Sequence, residues 1–326
     1  MVRILSLILI CLSAPLWADC TGNDRRTELT AAERSAITAD LAETPFAEGN
    51  HWIARRGAQR IDVIGTFHLN LPGIDTAADR LRDLVHAADL ILFEISAADQ
   101  KAFAASLVDD MSPVLIVNGP TLPDLMTEDG WARLSDLARA RGIPAWTLAK
   151  MRPWMLAATL AVPPCMLKTR NAELGLDLRL GAFATEAGVP QGSLETVADV
   201  IAIFETESLE DQVRAVEANL SMMFGQNADF YTLSLGYFEE RNAETLMALK
   251  TLALREANAA PEALEEEIRN FEEIIIERRN RAWMPEILGR PEARIVVAVG
   301  AAHLPGDTGI LRLLEQAGFT LTRAPF

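Results

Sequence analysis

Four histidines occur in the chain, and two of them share a local setting. His68 closes Gly65-Thr66-Phe67-His68 and His303 closes Gly300-Ala301-Ala302-His303; each follows an apolar run and is itself followed by Leu. One histidine after a strand is usually a satisfied loop residue. Two in the same setting argue against coincidence, because parallel sheets bind ligands where their strands end at the carboxyl edge. The glycine opening each motif is read as permitting a sharp backbone turn. His51 and His86 lack this setting and are read as structural. Glu94 is the second anomaly, an acid one residue from the end of the apolar run Asp89–Ile95. A carboxylate there is costly unless it is paired or binds a cation. The plain alternative is a salt bridge to a helix arginine such as Arg279. Two imidazoles and a carboxylate form a ligand set for zinc, manganese, iron or cobalt. They serve equally as general acid and base without metal. Spacing does not choose between these, since most of the chain separates His68 from His303.

The elements that must position these residues follow from periodicity. Arg60–Thr66, Asp89–Ile95 and Arg294–Val299 are nearly continuous apolar runs of strand length, expected of strands buried on both faces. A helix over Asp75–Ala88 joins the first two, and a helix over Asp307–Ala317 followed by a strand over Phe319–Thr322 closes the chain. Further strands are predicted at His51–Ala54, Pro144–Leu148 and Val189–Leu194. Helices are predicted over 27–45 with Thr30 as cap, Gly130–Arg141, Leu174–Ala187, Val197–Met223, Ala228–Ala257 and Pro261–Leu288. The fold class is therefore α/β. A central, mainly parallel sheet is built from N- and C-terminal β-α-β units, with a large helical insertion at about 197–288. The three apolar runs are expected in one sheet, with both histidines at one crevice.

Whole-chain features bound the setting. Arg3, the uncharged run Ile4–Leu12 and Ala18 have the layout of a secretory signal peptide over 1–18, too short in its apolar core to stay as a membrane span. The mature chain, 19–326, is then one periplasmic or secreted domain with no transmembrane segment. The 46 acidic residues outnumber 30 Lys and Arg, a net charge of -16. That sign excludes charge-driven binding to nucleic acid. Cys11 leaves with the leader, so Cys20 and Cys165 remain as a pair in an oxidising compartment, and a disulfide between them is expected.

Taken together, Gly65-Thr66-Phe67-His68, Leu92-Phe93-Glu94, Gly175-Leu176-Asp177, Leu194-Glu195-Thr196, Arg279-Asn280 with Trp283, and Gly300-Ala301-Ala302-His303-Leu304-Pro305-Gly306 resemble the TraB/GumN family, related to the Tiki proteins. The resemblance runs from about Ile61 to the C-terminus. Ala302 stands where bacterial members usually have glycine before His-Leu-Pro-Gly. The resemblance implies a site drawing on both histidines, Glu94 and the Arg279-Asn280 pair. Tiki relatives are metal-dependent proteases, TraB relatives are linked to shutting down peptide pheromones, and other relatives of the broad fold bind haem or cleave esters. The expectation is a metal-dependent hydrolase acting on peptides or small molecules, with manganese, cobalt or zinc on His68, Glu94 and His303. Arg279 would stabilise the oxyanion, and Asn280 would orient substrate or a ligand. Glu195 is a further carboxylate or a helix N-cap. The alternative is a non-catalytic binder of a peptide or haem-like cofactor in the same crevice.

Overall fold

The computed structural model describes residues 20, 22–168, 174–218, 220, 227–256 and 261–326. The expected signal peptide lies outside them, as does the end of the expected Val197–Met223 helix. Six strands, β1 (His51–Arg56), β2 (Gln59–Thr66), β3 (Leu90–Phe93), β4 (Gln191–Ser193), β5 (Arg294–Gly300) and β6 (Thr320–Arg323), lie in one sheet in the order β4-β3-β5-β2-β1-β6. β4, β3, β5 and β2 run parallel; β1 runs antiparallel to both β2 and β6. The sheet is thus mixed and mostly parallel, with helices between the strands, as the α/β reading expected. The three apolar runs share it, and β2 and β5 are direct neighbours with Thr66 opposite Gly300.

Alternation along the central strands divides the core into two layers. Ile64, Ile91, Phe93, Val296 and Ala298 face the helices Ile74–His86 and Leu176–Ala187. Ile61, Val63, Leu92, Val297 and Val299 face Trp283 and Ile287 of the helix Arg278–Leu288, and Ile310 and Leu314 of the helix Ile310–Gln316. A separate apolar cluster holds Ile116, Leu134, Leu148, Leu156, Val213 and Val216 away from the sheet. Cys20 and Cys165 are bonded, with Cα atoms 5.2 Å apart, as expected.

The structure departs from the sequence reading at several places. Pro144–Leu148 is no strand: Pro144 caps a helical turn, Ala145–Leu148, because Leu148 is buried among helices rather than beside a sheet edge. The predicted Val197–Met223 helix is interrupted between Phe204 and Leu209, where the Ser208 hydroxyl accepts the Asp211 N–H and starts a new helix. Ala228–Ala257 breaks at Glu240, whose φ is 57°, between helices Asn227–Phe238 and Asn242–Glu256. Pro261–Leu288 does run on, through a π-helical turn at Glu273–Glu277. β3 ends at Phe93, so Glu94 sits just beyond the strand rather than inside it.

Candidate functional site at the carboxyl edge of the sheet

All four parallel strands end at one edge, and each delivers a side chain within three residues of its end: His68 after β2, Glu94 after β3, Glu195 after β4 and His303 after β5. Glu94 is central. Its Oε1 accepts the Gly300 N–H at 2.7 Å and lies 3.7 Å from His68 Nε2 and 3.8 Å from His303 Nε2. Its Oε2 accepts Arg279 Nη2 at 2.6 Å. The salt bridge to Arg279 and the crevice position, opposed in the sequence reading, are both present.

The glycines of the two motifs serve a different purpose from the turn expected of them. Neither Gly65 nor Gly300 has positive φ. A Cβ on Gly300 would lie 3.2 Å from Glu94 Oε1 and 3.5 Å from both His303 Cδ2 and His68 Nε2. The missing side chain is what lets the three groups converge over the backbone.

His303 is held from several sides. Asn280 donates its Nδ2 to the carbonyls of His303 (3.2 Å) and Thr308 (2.9 Å). Its Oδ1 therefore faces the imidazole and accepts from Nδ1–H at 2.7 Å. That fixes the tautomer and leaves the Nε2 lone pair toward Glu94. The ring also packs on Trp283, centroids 4.6 Å apart. Asn280 is 0 % exposed, so it acts on a ligand only through His303. His68 is the opposite case: its side chain is 59 % exposed, and its Nδ1 meets Asp177 Oδ1 at 3.2 Å.

Arg279 leaves the solvated face that isolated arginines usually take. Its Nε donates to Glu195 at 3.0 and 3.2 Å, Nη1 to the Ile275 carbonyl of the π-helical turn at 3.2 Å, and its guanidinium lies 4.8 Å over Trp283. Nη1 also approaches His303 Nε2 at 3.4 Å. The neighbouring Arg278 is 61 % exposed and pairs with Glu273. Glu195 is not a cap; Thr196 caps the following helix, and the Glu195 carboxylate anchors Arg279. Beyond its place in the Gly175-Leu176-Asp177 motif, the sequence marks Asp177 only by its position in the first turn of the helix that Gly175 opens.

A model of the TraB/PrgY/gumN family matches residues 50–323. The chain belongs to this family. Two curated relatives, each called "Uncharacterized protein YbaP", come from Escherichia coli (strain K12) and Shigella flexneri. Each is 22 % identical over 282 residues, spanning 82 % of this chain and 94 % of its own length.

In this TraB/PrgY/gumN chain the electrostatics of the crevice follow from the same contacts. Burial opposes ionisation of Glu94, but His303, His68, Arg279 and the Gly300 N–H outweigh it and bring its pKa down to about 2. Burial, reinforced by Arg279 and His68 against the pull of Glu94, lowers His303 to about 4. Since His303 is then neutral at pH 7, Arg279 and His68 are the cations that keep Glu94 ionised there. For His68, burial disfavours the charge, yet the Asp177 hydrogen bond and the charges of Glu94 and Asp177 raise it to about 9. Water at its exposed ring tempers both contributions. Arg279 is held above the ordinary guanidinium range, its burial outweighed by Glu195 and Glu94.

Among the described residues, no group of three or more His, Cys, Asp or Glu side chains forms a ready-made metal cage. Arg279 Nη1 stands against His303 Nε2, and the Gly300 N–H occupies Glu94 Oε1. The donor chemistry nevertheless suits a divalent cation. Both imidazoles have Nδ1 engaged and Nε2 toward one carboxylate oxygen, the arrangement seen in metal-ligating histidines. Ligands ~2.1 Å from a shared zinc stand roughly 3.4 Å apart at tetrahedral angles, a few tenths of an ångström closer than the present contacts. Glu94 and Glu195 pair with Arg279, and Asp177 pairs with His68; once His68 gives up its proton to bind a cation, three carboxylates stand with one guanidinium, an excess of negative charge that a divalent cation would balance.

Proposed function

We propose that this crevice belongs to an exported, metal-dependent hydrolase acting on peptides, with His68, His303 and Glu94 holding manganese, cobalt or zinc. The observation that carries the reading is the convergence of two oriented Nε2 atoms, at 3.7 and 3.8 Å, on a single oxygen of Glu94. When bound, the metal would supply an activated water and polarise the substrate carbonyl. Arg279, fixed by Glu195 and Glu94, presents a positive charge beside His303 where an oxyanion would develop. Asn280 keeps His303 in the tautomer that offers Nε2. Peptide as the substrate class rests on the resemblance to Tiki proteases.

A second reading is favoured by one observation of its own. His68, exposed and paired with Asp177 and Glu94, is pushed toward the charged form, while His303, buried against Trp283, is pushed toward the neutral form, the pattern of a metal-free acid and base pair. Calorimetric titration of manganese, cobalt and zinc into the wild type and His303→Ala separates the two. Binding by the wild type, loss in the variant, and peptide cleavage abolished by chelator are expected from the metal reading. Equal affinity in both proteins sinks it and leaves the acid–base pair, or a crevice that binds without turnover.

A further inference from the structure

The two histidines are held very differently. His303 is 4 % exposed, packed on Trp283 and fixed by the buried Asn280. His68 stands on a loop with its side chain 59 % exposed, so packing does little to select its ring orientation. What reaches it is the start of the helix Leu176–Ala187. The Leu176 N–H donates to the Phe67 carbonyl at 2.9 Å. Gly175 lies so close to the same loop that a Cβ would fall 2.3 Å from both the His68 carbonyl carbon and the Phe67 oxygen. Asp177, two residues after Gly175, is largely buried and reaches His68 Nδ1 at 3.2 Å. A carboxylate only accepts, so Nδ1 carries the proton and Nε2 is the atom turned to Glu94.

We propose that Asp177 is the positioning residue for His68: the Gly175-Leu176-Asp177 segment clamps the His68 loop, and its carboxylate holds Nδ1–H and so sets the ring's orientation, with Nε2 toward Glu94. The arrangement parallels that of Asn280 on His303, but from the opposite layer of the sheet. Asn280 comes from the helix on the Trp283 side, and Asp177 from the helix that packs with Ile74–His86. The crevice is thus set by one rigid imidazole and one that depends on a single side chain. The consequence for metal affinity rests on the hydrolase reading above; the positioning itself does not.

The test uses the full mature chain with Asp177→Ala and Asp177→Asn, since the amide oxygen of asparagine still accepts from Nδ1–H. Ring Cδ2–H and Cε1–H signals of the histidines are followed by NMR without metal, with His51 and His86 as controls for the fold. Zinc affinity is measured by calorimetry. In Asp177→Ala the His68 ring signals should average or broaden while His51 and His86 stay unchanged, and zinc affinity should fall by about 10- to 100-fold. Asp177→Asn should restore most of both. Unchanged His68 signals in Asp177→Ala overturn the proposal. So does an asparagine variant that behaves like alanine, which would leave charge rather than the accepted hydrogen bond as the cause. Shifts at His51 and His86 also overturn it, by showing a general packing role. If the wild type takes up no zinc, the hydrolase reading fails by itself, and the ring signals alone decide the role of Asp177.

Discussion

At the scale of single residues, the chain shows how one residue type serves two ends. His51 and His303 are both buried, and each is fixed through a ring nitrogen. His51 Nε2 meets Asp62 at 2.9 Å, and Arg60 completes that pair from the exposed side at 2.6 Å. This is a closed structural network far along the strands from the crevice. Burial opposes the Asp62 charge, but His51 and Arg60 outweigh it and hold its carboxyl below the ordinary 3.8. A carboxyl depressed in the folded state contributes stability that is present above pH 3.8 and lost as pH falls through its lower folded value. Asp62→Asn should therefore cost about 2 kcal/mol near pH 6, where charge-assisted hydrogen bonds are lost, and clearly less near pH 3. Urea midpoints at the two pH values check this; an equal cost at both would remove the ionic account.

At the scale of elements, backbone approach matters more than any one side chain. The helix Leu176–Ala187 begins against the loop after β2, and Gly175 is the contact where no Cβ fits. The opposing atoms are main chain and cannot swing away. Gly175→Ala is expected to destabilise by about 1–3 kcal/mol through overpacking. It should also displace His68, so that the affinity for zinc falls while the His303 environment holds. A denaturant series paired with zinc calorimetry tests this; unchanged stability and affinity would show that the loop can simply yield. The π-helical turn Glu273–Glu277 is the other element that serves the crevice. Its Ile275 carbonyl accepts from Arg279, at a local irregularity of the kind found at functional sites.

For the molecule as a whole, the disulfide ties the start of the described chain to the segment before the Leu176–Ala187 helix, across a sequence separation of 145 residues. On the chain-entropy model a loop of that order contributes about 5 kcal/mol. Reduction or Cys165→Ala should lower the unfolding free energy by up to that amount, and non-reducing peptide mapping should recover the two cysteines joined. Mapping that recovers both as free thiols counts against the bond. The same compartment argument leads us to propose export, with a mature N-terminus at Asp19. N-terminal sequencing of protein from the periplasmic fraction should begin Asp19-Cys20, and an intact Met1 on cytoplasmic protein would sink the idea. No helix of the described residues is long and apolar enough to cross a membrane.

What the sequence determined by itself was local or patterned. Apolar runs marked β2, β3 and β5, because strands buried on both faces must be apolar throughout. The repeated Gly-x-x-His endings and the lone acid Glu94 marked the crevice, because a parallel sheet brings its carboxyl ends together. Strand length and helix breaks were less visible: Pro144–Leu148 has strand composition, yet its burial partners are helices, and propensity yields to packing. Only the tertiary structure decided which groups hold which. Asp177 to His68, Asn280 to His303 and Glu195 to Arg279 join residues 109, 23 and 84 positions apart. No periodicity carries such pairs. They exist because a carboxylate or amide buried beside a crevice must find a partner, and the fold alone says which one lies within reach.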